Sequence, residues 1–137
     1  MSGPPPAVVA HDTAQATAAL RLAGPRGVLL LSAPGAAGSL GAGWFLAMAR
    51  QAAEAVPGVP HQAGLDCGDA PGHALAALRA GARLLILDPA CPAFAAVAAA
   101  AADTGARVWT ARPPALDLRG LDLRRPGGRA RLVAWLR

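Results

Sequence analysis

Short apolar runs alternate along this chain with longer stretches whose apolar positions recur at helical spacing. Residues 7–11 (AVVAH) form the first run. Asp12 follows as a helix cap, and Gln15 three residues on completes a capping box. The helix it opens is predicted to reach about Leu22, where Gly24 and Pro25 close it. Residues 27–32 (GVLLLS) are apolar on both faces, as expected of a central strand covered on each side by helices. A Gly-rich stretch, residues 34–43, leads into a helix over 44–56 that carries Arg50, Gln51 and Glu54. The pattern then predicts a strand over 61–66, a helix over 71–80, a strand over 83–87 and a helix over 92–103 ended by Gly105. A short strand follows over 107–110. Leu132, Val133 and Leu136 then mark a terminal helix over 129–137.

Strands that alternate with helices through connections of a few residues imply a parallel sheet, because a parallel crossover needs about a dozen residues and usually takes a helix. The chain is therefore read as one three-layer α/β domain over residues 1–137. About five mostly parallel strands, in a flavodoxin-like or Rossmann-like order, are flanked by Ala-rich helices. Residues 1–6 are expected to be a flexible N-terminus, and residues 114–128 an irregular Arg-rich connection. Leu-Asp-Leu-Arg occurs twice there, at 116–119 and 121–124, which is too short for a repeat architecture.

Composition narrows the class of function. Apolar residues make up 54% of the 137 and charged residues 15%, which excludes an intrinsically disordered chain. The longest apolar run, 93–102, is about half the length needed to cross a bilayer, so no membrane association is expected. The N-terminus shows no secretory pattern, and a cytoplasmic location is expected. Two cysteines are too few for a disulfide framework. Lys, Tyr and Asn are absent and all 13 basic residues are Arg, which rules out Schiff-base chemistry and a phosphate-binding Lys. Charge is uneven: residues 107–137 hold eight Arg against two Asp, and residues 1–106 hold five Arg against six acids.

Ligands of open parallel sheets bind outside the carboxyl ends of the strands, and the chemically distinctive residues gather in those loops. Ser32 and the Gly-rich loop with Gly35, Gly38, Ser39 and Gly41 are candidate anion-binding groups ahead of a helix. Their spacing fits neither the dinucleotide nor the nucleoside-triphosphate fingerprint, and a close-packing turn is the plainer role. Residues 65–73 (LDCGDAPGH) concentrate Asp66, Cys67, Asp69 and His73. The two carboxylates and the imidazole are candidate acid and base groups, with Asp69 alternatively capping the next helix. No spacing is diagnostic of a metal, and no cofactor is assigned. Asp88, at the end of the 83–87 strand, is a further catalytic candidate, and Arg112 a partner for an anion. Cys91, before Pro92, reads as a helix cap whose thiol could pair with Cys67 in redox chemistry; two small buried hydrophobes are the simpler reading.

The leading expectation is a protein that binds a small anionic or phosphorylated ligand at this edge. A second is a regulatory or interaction domain that forms a homo-oligomer through apolar helix faces, with Trp135 anchoring the last helix on the body or on a second subunit. A third is polyanion binding through Arg124, Arg125, Arg129 and Arg131. The lack of interleaved aromatic residues argues against nucleic acid.

Overall fold

The computed structural model describes residues 4–39 and 41–137; for Ser39 it describes the backbone alone. The expected flexible N-terminus includes residues 1–3, which lie outside the described residues.

Strands and helices alternate as the pattern requires. They are β1 (Ala7–Val9), α1 (Thr13–Leu22), β2 (Val28–Leu31), α2 (Ala36–Ser39), α3 (Ala42–Ala55), β3 (His61–Asp66) and α4 (Pro71–Arg79), followed by β4 (Leu84–Ile86), α5 (Phe94–Thr104), β5 (Arg107–Trp109), β6 (Ala115–Asp117) and α6 (Pro126–Leu136). The strands form a single parallel sheet in the order β5-β4-β3-β2-β1-β6, with helices around it, in line with the three-layer α/β class. The sequence leaves strand order open between flavodoxin-like and Rossmann-like arrangements, and the structure supplies it. From β1 to β5 every crossover advances to the next strand without reversing, and only the return to β6 breaks the progression. Strand burial follows position: β1, β2 and β4 are buried throughout, whereas the edge strands β5 and β6 are not.

The sixth strand lies where an irregular connection was expected. Ala115–Asp117 pairs in register with Ala7–Val9 of β1, and a 3₁₀ turn over Leu118–Gly120 follows. Three residues behind Pro113 and Pro114 are too few to show the alternation that marks a strand. The last helix also starts three residues early, at Pro126, since proline suits the first helical position.

The chain forms two compact units. The first comprises residues 1–31, 48–62 and 114–137; the second comprises 32–47 and 63–113. In the first, β1 pairs with β2 on one side and β6 on the other, and α1 packs on β2 and against α6. The Asp12 carboxylate accepts from the Gln15 N–H at 2.7 Å, while the Gln15 side chain reaches back to the N–H of His11 at 2.8 Å, one residue before the cap. The expected reciprocal cap thus forms, shifted by one donor. Trp135 donates its indole N–H to the Ala7 carbonyl at 2.7 Å, so it anchors α6 within the chain.

In the second unit β3, β4 and β5 are consecutive neighbours. Right-handed crossovers in one direction put their connecting helices on one face, and α4 and α5 pack together. Leu65, Leu85, Leu87 and Val97 are fully buried in the core they cover.

Candidate functional site

Asp66 is the last residue of β3, and its carboxylate organises the edge of the second unit. Its Oδ1 accepts the backbone N–H groups of Gly35 (3.1 Å) and Gly68 (2.8 Å), and its Oδ2 accepts from Arg112 Nη1 at 2.7 Å. The same guanidinium nitrogen donates to the Ser32 carbonyl at 3.1 Å, and the Ser32 hydroxyl accepts the Asp66 N–H at 2.9 Å. Gly35 (φ +68°) and Gly68 (φ +59°) both adopt the left-handed conformation, which lets two separate turns aim their N–H groups at one oxygen. Asp66 is buried at 5% exposure. A carboxylate used this fully by the protein is a latch that joins three loops, rather than a free acid or base.

The anion expected at the Gly-rich loop therefore meets an internal competitor, because the Gly35 N–H is already given to Asp66. Gly38 serves packing. A Cβ there would lie 2.5 Å from the His73 ring, so its hydrogen lets α4 approach α2. Gly41 adopts φ +83° and is exposed before α3, and the side chain of Ser39 lies outside the described residues. His73 is exposed on the first turn of α4 and takes no part in lining the cleft at the carboxyl ends of β3, β4 and β5.

A cleft of about 520 Å³ opens at the carboxyl ends of β3, β4 and β5. Asp66, Asp69, Asp88, Thr110 and Arg112 are its polar lining. Asp66 and Asp88, two of the residues expected at these strand ends, thus line one cleft, whereas Ser32 is buried and reaches it only through its hydrogen bonds with Asp66 and Arg112. Asp88 is exposed; one of its oxygens accepts the Ala90 N–H at 2.9 Å, and its own N–H is given to the Gly68 carbonyl. Asp69 is exposed too and does not cap α4, whose cap residue is Ala70, without a side-chain bond. Three carboxylates against one guanidinium make the cleft negative, and the one guanidinium is held by Asp66. Among the described residues no group of three or more His, Cys, Asp or Glu side chains is arranged to hold a metal ion.

Both cysteines are buried free thiols. Burial, with the neighbouring Asp66 charge adding to it, pushes the Cys67 thiol up to about 12. Cys91 does not cap α5. The helix begins at Phe94 behind Ala93, and Cys91 sits in the preceding turn, its N–H bonded to the Asp88 carbonyl. Proline at 92 opens a turn here instead of a first helical residue. Thiolate chemistry at Cys67 is therefore suppressed near neutral pH. Cys67 is expected to resist a disulfide reagent at pH 8 in the folded protein and to react on unfolding. Between about pH 9 and 12 the unfolded chain loses this proton while the folded chain keeps it, so denaturant midpoints should fall with rising pH across that window. A Cys67→Ala variant should flatten that fall; an unchanged slope would contradict the assignment.

The first unit contains a second polar cluster. Arg119 Nη2 donates to His11 Nδ1 at 3.2 Å, which leaves the ring proton on Nε2, directed to Asp117 Oδ1 at 2.6 Å. Burial alone would raise the Asp117 pKa, but the Arg119 backbone N–H, the His11 hydrogen bond and the Arg119 charge bring it below the ordinary carboxylate value. His11 stands two residues beyond β1 and Asp117 ends β6, and the pair is not legible in the sequence because β6 itself is not expected there. Arg124 and Arg125 share Asp122 at 3.2 and 3.4 Å, so part of the C-terminal positive charge is compensated internally.

The sequence matches no model of a known protein family, and no functionally curated protein matches it.

Proposed function

We propose that the protein binds a small polar ligand in the cleft at the carboxyl ends of β3, β4 and β5, through hydroxyl or ammonium groups that meet Asp69 and Asp88. The observation that carries this reading is the division of labour among the carboxylates: Asp66 is consumed by Gly35, Gly68 and Arg112, while Asp69 and Asp88 are exposed to the same cleft. A negative lining favours donors and cations over the anionic or phosphorylated ligand expected from sequence, since a phosphate would face Asp69 and Asp88 at close range. The latch supports the same reading by fixing the floor before a ligand arrives, which lowers the ordering cost of binding. Self-association through apolar helix faces finds less support, because Trp135 is bound to Ala7 in its own chain.

A thermal-shift screen of amino alcohols, amino sugars, polyols and inorganic phosphate tests the proposal. An amino sugar present at about a hundred times its Kd should add about 2.7 kcal/mol of stability, and Asp69→Asn with Asp88→Asn should abolish that gain while leaving the unliganded melting point nearly unchanged. Stabilisation by phosphate alone, surviving in the double variant, would overturn it.

A further inference from the structure

The first unit holds a cavity of about 540 Å³ between the outward face of α1 and the segment that leads into α6. Ala14, Ala18 and Leu22 lie on one stripe of α1 at four-residue spacing and supply one wall; Leu123 supplies the other. The small alanines leave the space open, and most of the lining is methyl and methylene carbon. Thr13 and Thr17 of α1 also line it, and two charged residues complete it, Arg21 from the last turn of α1 and Arg129 from α6.

Neither guanidinium has an ion-pair partner among the described residues, in contrast to Arg124 and Arg125, which share Asp122. Arg129 is uncompensated in a second way. It stands early in α6, where the helix dipole is positive, and that first turn holds no acidic residue. An apolar trough bordered by two unmatched cations selects an occupant with both properties. A cation is repelled, a neutral alkane leaves the guanidinium groups unanswered, and a bare inorganic anion leaves the apolar lining wet.

We infer that this groove binds a small amphipathic anion, a monocarboxylate or sulfonate with an unbranched apolar tail. The tail lies along Ala14, Ala18 and Leu22 against Leu123, and the head group meets Arg21 and Arg129. The site is separate from the cleft of the second unit, and either stands if the other fails.

Calorimetric titration with octanoate, hexanoate, octylammonium and octanol, together with amide NMR mapping, tests it. Octanoate should bind saturably and tighter than hexanoate by roughly tenfold, at about threefold per methylene. The amides of Ala14, Ala18, Leu22 and Leu123 should shift. Arg21→Gln with Arg129→Gln should weaken octanoate by roughly fivefold, the sum of two exposed charge contacts, without a change in melting point. Ala18→Phe, which fills the groove, should remove binding while the circular dichroism spectrum is retained. Octylammonium or octanol binding as tightly as octanoate would overturn the inference. So would shifts confined to other residues, an absence of saturable binding, or a concentration-dependent dimer that Ala18→Phe dissolves.

Discussion

Asp66→Ala should destabilise the protein by about 3 kcal/mol, the lower end of the range for removing one partner of a buried ion pair. The lower end applies because the Arg112 side chain keeps 24% exposure and can recover some hydration. Three donors lose their acceptor together: the N–H groups of Gly35 and Gly68 and the Nη1 of Arg112. For a chain of this size the melting point should drop by roughly 10 °C. Asp66→Asn keeps an oxygen for the two glycine N–H groups while surrendering the charge, so it should lose about half as much. Urea unfolding of the three proteins provides the comparison; an Asp66→Ala variant within about 0.5 kcal/mol of the parent, the range of ordinary surface substitutions, would remove the latch from the account.

Gly27→Ala should cost about as much for a different reason. Gly27 precedes β2 at φ +76°, and a Cβ built on it would lie 2.1 Å from the Pro60 carbonyl oxygen, which accepts the Val28 N–H. The left-handed backbone alone costs an alanine about 1–2 kcal/mol. The collision adds about 1–3 kcal/mol, because the obstacle is backbone and cannot turn aside. Gly58→Ala is the matched control, since Gly58 has φ +86° with no atom within 4 Å of the added carbon. Unfolding midpoints should separate the two variants clearly, and equal losses would show that the contact with Pro60 is not limiting.

The depth to which this fold was legible followed the range of the physics behind each feature. The cap at Asp12, the left-handed stop at Gly105 and the wholly apolar runs of β2 and β4 depend on neighbours in sequence, and each lies where the pattern put it. Strand order depends on which edge each crossover returns to, and connection length does not encode that. β6 owes its existence to the exposed edge of β1 more than to its own three residues. The site divides in the same way. Its location at the strand ends follows from the parallel arrangement, and Asp66, Asp69, Asp88 and Arg112 all line one cleft. Their roles were not legible, because the Asp66–Arg112 pair joins residues 46 apart in sequence and the His11–Asp117 contact joins residues 106 apart. Without those pairings a buried latch and a solvent-facing carboxylate look identical.

Whether the cleft prefers donors and cations to anions is read directly by an amide-resolved NMR titration with glucosamine and, separately, with inorganic phosphate. Glucosamine should shift Gly68, Asp69, Asp88 and Thr110 along saturable curves, Asp69→Asn with Asp88→Asn should erase those shifts, and phosphate should leave the four amides in place. Shifts at the same amides from phosphate with none from glucosamine would contradict that preference.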